Sequence, residues 1–584
     1  MAANGPLLGD GTRRSKGDQA RRYNLLAARL IAELVKNSLG PRGLEKMFID
    51  VMGEVTVTKD GATLLRKIDV EHPAAKVLIE ASNAVDNEVG DGTTSVVVLA
   101  GALVQKAEEL LDMGIAPSTI SDGYLAGLDI ALEALDGISQ KYGNADRQAM
   151  QSLARTCLQS KALAYGGEGV AGLVVDAVCS IANFGGNSID IDDIKIEEKE
   201  GSMLDAQLVS GIVIDKTIDS SAMPRAVENA RIMLLDDELE GKRTRTDAEI
   251  RITSPDQIKS YSDAQTLMIK SKMQHIIDSG ANAVFSRKGI NTLAQHLMTR
   301  AGIISVRRVK ENDLVWLAKA TGATISQKLD HEHDDPHHGH GHHHHDHHDD
   351  HYHHGDIDIK LGHAERVYEK QVGDDKMVFV EGCENPNAVT LLLRANSKRT
   401  LDECHRSALD AISVLRNFVV RPSVVAGGGA AEAAIARAVR EKASLVSGRE
   451  QIVIQKFAEA LEEIPLTIAR NAGMDVIDTL VQLRSKHSNG KASTHGVDAI
   501  ERKVQEMFPL VIEPAAVKEQ VIKTAVEVTN LLVRVDDVLM AKPTMYTHTH
   551  ANGAKHSHAG GDKEHQHDHF DRLGKQQRPM HHYY

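Results

Sequence analysis

Apolar and charged residues alternate at helical spacing from Asp18 onward. The apolar positions of this stretch recur every three or four residues: Tyr23, Leu26, Ala27, Leu30, Ile31 and Leu34. This period predicts an amphipathic helix whose apolar stripe faces the core. The helix should end at the sequence LGPRG, because Pro41 disfavours a helical conformation for Gly40.

A glycine-rich junction connects two further predicted helices. The first, in HPAAKVLIEASNAVDNEV, has Pro73 at an early helical position and leads directly into GDGTTS at residues 90–95. An uninterrupted apolar run at 96–104 follows, and its periodicity fits either a buried helix or a buried strand. We favour a helix, because small residues in the run allow close packing and the pattern continues as AEELLDMG.

Other stretches alternate with a period of two, which is typical of strands. The stretch MFIDVMGEVTVT predicts a hairpin that ends at Asp60 and Gly61, where another helix should begin. Alternation returns near residue 190 in IDIDDIKIEEKEGSMLDAQLVSGIVID, and again in KMVFVEGCENPNAVTLLLRA.

Helices are predicted between and after these strands. SPDQIKSYSDAQTLMIKSKMQHIIDSG should form a helix with Ser254 as N-cap and Pro255 at the next position. Its apolar candidates for the core are Ile258, Leu267, Met268 and Ile276. A further helix is predicted for LDECHRSALDAISVLRNFV, and three consecutive glycines precede another in SVVAGGGAAEAAIARAV. The pattern indicates a mixture of helices and strands.

Length and composition predict the number of domains, the residues of the core and the class of partner that is excluded. The chain has 584 residues, 42% of them hydrophobic, and at roughly 150 residues per domain this predicts about four domains. Only 3% of the residues are aromatic, so Ala, Val, Ile and Leu must build the core. The net charge of -14, without a sustained basic block, argues against a general nucleic-acid binder.

The remaining composition favours a cytoplasmic protein. We find no signal-peptide core near the N-terminus and no apolar run of membrane-spanning length, so no membrane contact is expected. No CxxC pair occurs among the four cysteines, which suits a reducing compartment: Cys157, Cys179, Cys383 and Cys404.

Two segments are rich in histidine. Residues 331–354 carry nearly half of the 30 histidines, and a second His-rich segment runs from His548 to His582. Imidazoles among carboxylates suit Ni²⁺ or Zn²⁺, but the irregular spacing defines no coordination geometry. Adventitious or buffering metal binding, a tuned metal-dependent function and an inert solvated loop all remain open.

The sequence GDGTTS is the first candidate for chemistry. Its glycines allow a ligand to approach the backbone closely, and hydroxyl residues at a helix start offer oxygens and unpaired amides. Such a loop can bind phosphate. The alternative is a capped helix turn without a ligand.

Three sets of distant motifs resemble the group II chaperonins, the thermosome and its eukaryotic relatives in the TCP-1/cpn60 family. They are NSLGPRGLEKM, then TKDGATLL with GDGTTS, and finally AGGGA with NAGMD and LVRVDDV. The resemblance extends from about residue 15 to 540 and leaves out the two His-rich segments.

The resemblance implies an α+β multidomain fold: a mostly helical equatorial domain, a small α/β intermediate domain and an α/β apical domain with a helical protrusion. The SPDQ helix takes the place of that protrusion. The implied boundaries are equatorial 1–146 and 410–540, intermediate 147–216 and 372–409, apical 217–371 with the insertion 331–354, and a disordered His-rich tail at 541–584.

The resemblance also implies hydrolysis of ATP with Mg²⁺, in a site assembled from both ends of the chain. Asp410 would activate the attacking water, Asp60 would help to hold that water, and Asp91 would ligate the metal. The residues implied to bind the nucleotide are Leu39, Gly40, Pro41, Gly92, Thr93, Thr94, Ser95, Ser160, Lys161, Gly428 and Glu506.

Several positions depart from the family's usual pattern. His405, Ala408 and Leu409 replace the usual residues around Asp410, and Lys59 stands where asparagine is usual. Arg394-Ala395-Asn396 replaces the family's usual Arg-Gly-Gly, and Glu506 occupies a position where the family commonly has an aspartate. These departures predict altered turnover.

The partners implied are non-native polypeptides and identical or homologous subunits in a stacked ring. The strand-like LLVRVDD near Val533 and the VTVT hairpin resemble the family's inter-subunit sheet. Two alternatives stay open: an architectural subunit with weak hydrolysis, and a metal-buffering protein that acts through its His-rich segments.

Overall fold

The computed structural model describes residues 13–50, 52–159, 161, 168–240, 255–327, 329, 360–383, 387–488, 493–540, 545–549 and 555–559. The predictions for Ser160, Ser254 and the His-rich insertion 331–354 lie outside these residues. The chain divides into two compact units, one formed by 1–23 with 535–584 and the other by 24–534.

The α-helices in the described residues are α1 (Asp18–Lys36), α2 (Gly61–Lys67), α3 (Pro73–Val89), α4 (Thr93–Asp112), α5 (Pro117–Ile138), α6 (Arg147–Leu158), α7 (Glu168–Ile181), α8 (Pro255–Asp278), α9 (Thr292–Ala301), α10 (Glu311–Thr321), α11 (Lys398–Val420), α12 (Ala430–Ala443), α13 (Arg449–Leu461), α14 (Glu463–Asn471), α15 (Val476–His487) and α16 (Ala515–Arg534).

The strands are β1 (Arg13–Lys16), β2 (Lys46–Ile49), β3 (Val55–Thr58), β4 (Gln140–Lys141), β5 (Ile194–Glu200), β6 (Gln207–Val209), β7 (Gly211–Ile214), β8 (Ala226–Leu235), β9 (Ala283–Ser286), β10 (Ile304–Val306), β11 (Ile325–Ser326), β12 (Gly362–Val372), β13 (Asp375–Cys383), β14 (Val389–Ala395), β15 (Ser423–Ala426), β16 (His495–Asp498), β17 (Lys503–Glu506), β18 (Ile512–Pro514), β19 (Asp537–Met540), β20 (Met545–Thr549) and β21 (Lys555–Ala559). The mixture confirms the predicted α+β class.

The smaller unit contains two strand pairs. β1 and β19 pair in antiparallel fashion, with Arg13 opposite Met540, and the Arg14 guanidinium binds the Asp537 carboxylate. β20 and β21 form an antiparallel hairpin, so the prediction of a disordered tail from 541 onward is wrong for these residues. The strand prediction near Val533 is also wrong, because α16 continues to Arg534 and the strand begins only at Asp537.

The larger unit has a helical core built on α4. Every residue from 96 to 104 is buried in this helix, which confirms the helix over the strand. Small residues decide how α1 packs on it, because a Cβ added at Gly101 would lie only 2.2 Å from the Cβ of Ala32. A methyl group opposite a glycine lets the two helices approach closely.

The helix prediction for α1 is confirmed, but its predicted buried face is largely wrong. The residues that α1 buries in the core are Leu25, Ala28, Ile31, Ala32 and Val35. Of the predicted stripe only Ile31 is among them, whereas Leu30 is 62% exposed and Leu26 and Leu34 are also exposed. The helix therefore carries a second apolar face that the described residues do not cover.

The larger unit also contains two sheets besides the small sheets β18-β15-β4, β16-β17 and β2-β3. The strand order of one is β10-β9-β8-β12-β13-β7, with β11 beside β8, and that of the other is β5-β14-β6. α8 packs against the first sheet through Ile269, Met273 and Ile276, which belong to the same apolar core. The predicted core residue Leu267 is 67% exposed instead.

The helix α11 connects the β5-β14-β6 sheet to the helical core. Its first half packs with β14 and β5, and its second half reaches the end of α3, where Asn417 donates to the Val89 carbonyl oxygen over 2.8 Å. The predicted domain boundary at 409/410 falls inside this unbroken helix. No helix in the part of the chain that the structure describes has the length and apolarity to span a membrane.

Candidate active site

Asp91 lies in a turn of two glycines between α3 and α4. Gly90 and Gly92 both adopt left-handed backbone angles, with φ of 68° and 84°. A Cβ on Gly90 would lie 2.2 Å from the Cβ of Ser413 in α11, so the turn can pack on that helix only without a side chain. The Asp91 Oδ1 accepts a 2.7 Å hydrogen bond from the Gly92 amide, which holds the carboxylate at the head of α4.

Asp60 caps the neighbouring helix α2. Its carboxylate accepts hydrogen bonds from the amides of Ala62 (3.3 Å) and Thr63 (2.8 Å), and from the Thr93 hydroxyl (3.0 Å). Burial alone would raise the pKa of Asp60, but the hydrogen bonds from Thr63 lead the effects that lower it below its usual value. Asp60 therefore stays ionised at neutral pH, and its bond to Thr93 joins α2 to the start of α4.

Asp410 reaches this region from α11 and meets Lys161. The two side chains form an ion pair although they are 249 residues apart in the sequence. Burial raises the pKa of Asp410 to about 7, against the attraction of Lys161, and the nearby carboxylates of Asp60 and Asp91 add to the rise. A carboxylate with a pKa near neutrality is well matched to accept a proton.

One cleft unites most of the predicted site residues. Its lining includes ten of them: Leu39, Gly40, Asp60, Asp91, Gly92, Thr93, Thr94, Ser95, Lys161 and Asp410. The cleft contains about 620 Å³ of space, part of it open to solvent. The structure thus brings together loops from residue 39 to residue 410.

Three predicted residues do not line this cleft. Pro41 is adjacent to it in the Gly40 loop, whereas Gly428 packs against Met507 and accepts a 2.8 Å hydrogen bond from the Val497 amide. The Glu506 carboxylate accepts a 3.3 Å hydrogen bond from the Thr494 hydroxyl. The nucleotide-binding roles of Pro41, Gly428 and Glu506 stay predictions.

The cleft also contains side chains that sequence reasoning did not assign to the site. Glu403 accepts hydrogen bonds from the Thr58 hydroxyl (3.2 Å) and the Arg406 guanidinium (2.6 Å). Arg406 lies one helical turn before Asp410, so both face the same side of α11. The four-residue spacing from Arg406 to Asp410 was the signal in the sequence that could have assigned Arg406 to the site. The other unassigned residues in the lining are Ser38, Lys59, Gly90 and Ser407.

The carboxylates suit a hard cation that is shared with a ligand. Within the described ranges, no three His, Cys, Asp or Glu side chains form a group that could hold a metal by themselves. Asp91 makes no ion pair with a described residue, and its acceptor oxygens suit Mg²⁺, which usually takes one or two carboxylates together with phosphate and water. The site therefore fits Mg²⁺ that arrives with a phosphate ligand.

Sequence comparison shows which known proteins this chain is similar to. The sequence model of the TCP-1/cpn60 chaperonin family matches residues 31–543. The chain is 44% identical over 540 residues to thermosome subunit alpha of Archaeoglobus fulgidus, covering 92% of this chain and 94% of the relative. It is 44% identical over 558 residues to thermosome subunit alpha of Sulfurisphaera tokodaii, covering 93% and 95%. A thermosome subunit of Pyrococcus horikoshii is 43% identical over 540 residues, covering 92% and 94%.

Proposed function

Because the chain belongs to the TCP-1/cpn60 chaperonin family, we propose that it is a group II chaperonin subunit that uses the hydrolysis of Mg-ATP to fold non-native polypeptides. The observation that carries the ATPase assignment is the convergence of Asp60, Asp91, Lys161 and Asp410 on one cleft. Four segments separated by up to 350 residues supply these side chains. A capped helix turn without a ligand would not require them to meet.

The start of α4 binds the phosphates. Thr93, Thr94 and Ser95 occupy the first turn of this helix, where amides lack helical partners and the helix dipole is positive. Asp91 would hold Mg²⁺, and the bound ion would neutralise charge on the phosphate oxygens. The 2.7 Å hydrogen bond from the Gly92 amide to Asp91 Oδ1 holds the carboxylate at the same turn.

Asp410 is the general base in this proposal. Its raised pKa and its position across the cleft from the start of α4 suit it to accept a proton from the attacking water. Lys161 holds Asp410 in place through the ion pair and brings positive charge to the side where the terminal phosphate would lie. Asp60, whose lowered pKa makes it a poor base, orients the water instead.

The helix α11 couples this chemistry to movement of the β5-β14-β6 sheet. In the first half of α11, His405 Nδ1 lies 2.5 Å from the Glu198 Oε1 of β5. In the second half, the Asn417 side chain donates to the carbonyl oxygen of Val89, just before the turn that carries Asp91. Displacement of the sheet therefore moves Asp410 relative to the phosphate loop. The departure at His405 creates this contact with the carboxylate of Glu198.

Ring assembly uses the β2-β3 hairpin. It is a two-stranded sheet in the described chain, and Met47, Ile49 and Met52 are 68%, 60% and 90% exposed. Exposed apolar side chains beside unpaired strand edges favour pairing with another chain. Another two-stranded sheet, β1-β19, offers the complementary edge on a neighbouring subunit, and such a head-to-tail contact closes a ring.

The first test joins assembly to activity. The purified full-length chain should elute in size-exclusion chromatography with light scattering as a multiple of the 63.5 kDa subunit, and the same peak should hydrolyse ATP only with Mg²⁺. The peak should also increase the recovery of a denatured model protein in the presence of ATP. A monomer without magnesium-dependent hydrolysis would contradict the proposed function.

A second prediction concerns the metal. Asp91→Asn keeps an oxygen that can accept from the Gly92 amide but removes the charge, so the Mg²⁺ concentration for half-maximal ATPase should rise about tenfold. The control is Asp122→Asn, at an exposed position of α5. An unchanged magnesium requirement in Asp91→Asn would remove Asp91 from the metal site.

A further inference from the structure

The cleft contains three cationic side chains, and two of them are already paired. Lys161 forms its ion pair with Asp410, and Arg406 forms one with Glu403 over 2.6 Å. Lys59, which also lines the cleft, forms no ion pair with a carboxylate of the described residues. Its described polar partner is the Pro41 carbonyl oxygen, 3.3 Å from the ammonium nitrogen.

The backbone around Lys59 is held firmly. Thr58, just before it, is only 3% exposed and is bound to Glu403, and Asp60, just after it, caps α2. The ammonium is thereby kept between the Gly40 loop and the remaining cleft. The cleft is also lined by carboxylates, but Lys161 and Arg406 already pair with two of them, so among the described side chains the charge of Lys59 is the one left for an anionic ligand.

The electrostatic surroundings agree with this placement. Burial lowers the pKa of the Lys59 ammonium, Glu45 partly offsets the effect, and the positive charge of Lys161 lowers it further. Lys59 and Lys161 line the same cleft, and their positive charges repel each other. An anion between two ammonium groups relieves both their repulsion and the loss of hydration.

We propose that Lys59, together with Lys161 in the same cleft, binds the terminal phosphate of ATP and makes the site prefer ATP over ADP. The inference rests on the proposed ATPase function and adds to it a residue that determines specificity. It also gives a role to one of the departures in the sequence, because an asparagine at this position could not supply the charge. Lys59 remains a binding residue and takes no part in proton transfer.

The competing explanation is that Lys59 only braces the Gly40 loop through Pro41. Three substitutions separate the two roles. Lys59→Gln keeps a donor for the Pro41 carbonyl but removes the charge, Lys59→Met removes both, and Lys59→Arg keeps both. Lys67→Met, at an exposed position at the end of α2, is the matched control.

The experiment measures steady-state ATP hydrolysis and the binding of Mg-ADP by calorimetry on the assembled protein. Lys59→Gln and Lys59→Met should both raise KM for ATP about tenfold, the effect of one charge-assisted hydrogen bond at a half-buried position, with kcat within about twofold. The affinity for Mg-ADP should change by less than about twofold in the same variants. Lys59→Arg and Lys67→Met should behave like the wild type.

The outcomes distinguish this inference from the proposed function. A wild-type KM in Lys59→Gln together with a raised KM in Lys59→Met would show a brace and overturn the inference. Equal losses for ATP and ADP would overturn the assignment to the terminal phosphate. Wild-type protein that neither binds ADP nor hydrolyses ATP would instead overturn the proposed function, and the inference would fall with it.

Discussion

Replacing Asp410 with asparagine should lower kcat for ATP hydrolysis by about 10²- to 10⁴-fold while Mg-ATP still binds with nearly wild-type affinity. The amide has the shape of the carboxylate but cannot accept the proton of the attacking water. Asp410 also lies outside the first turn of α4, which is proposed to bind the phosphates, so binding should survive the change. Single-turnover hydrolysis and equilibrium binding of ATP measure the two effects separately.

A control variant and a pH profile test whether the loss of turnover is specific to Asp410 acting as a base. Asp402→Asn lies two turns earlier on α11, outside the cleft, and should keep full turnover. In the wild type, burial raises the pKa of Asp410 to about 7, and a base acts only when deprotonated. We therefore expect kcat to fall with decreasing pH below about 7, and this acid limb to disappear in Asp410→Asn. Normal turnover in that variant would remove Asp410 from the mechanism.

Replacing Lys518 with methionine should destabilise the protein by about 3–5 kcal/mol, the usual cost of breaking a buried ion pair on one side. The Lys518 ammonium lies 2.7 Å from Glu432 and 2.6 Å from Glu513, with 7% of its side chain exposed. Burial disfavours its charge, but the two carboxylates outweigh this and hold the pKa of Lys518 above its ordinary value. Burial likewise raises the pKa of Glu513. Without the lysine, the buried carboxylate of Glu432 and the partly buried carboxylate of Glu513 lose the positive charge between them.

The measurement is the denaturant midpoint of variants at equal subunit concentration, because assembly changes apparent stability. Lys523→Met, on the same helix but 40% exposed and paired with Glu519, should cost less than about 1 kcal/mol. Adding Glu432→Gln and Glu513→Gln to Lys518→Met should recover part of the loss. A Lys518→Met protein as stable as Lys523→Met would mean that the cluster does not depend on its central charge.

The sequence predicted which segments form helices and strands better than it predicted which side of a helix is buried. The period of α1 identified the helix, yet the bulky residues Leu26 and Leu30 were the wrong choice for its buried side. The core instead took Ala32, because that methyl group fits against Gly101 of α4. Helical period reports which residues share a face, whereas the shape of a partner helix decides which of two apolar faces is buried.

The residues proposed to bind phosphate could be predicted from the local sequence, whereas those proposed to act in catalysis could not. Asp60 and Asp91 stand at helix starts next to glycines, so turn chemistry alone marks them. Asp410 and Lys161 look like ordinary surface positions, and only the family resemblance singled them out. Their pairing depends on how α11 crosses the core, which is a long-range property that no local pattern encodes.

The strand pair β1-β19 also has a consequence for biosynthesis. Arg14 and Asp537 are separated by 523 positions, so this pair cannot form on the ribosome until nearly the whole subunit has been translated. Loop closure over that length makes it a late event in any case. If a neighbouring hairpin docks on this pair, a nascent or truncated chain lacks the docking edge, and only complete subunits are admitted to assembly.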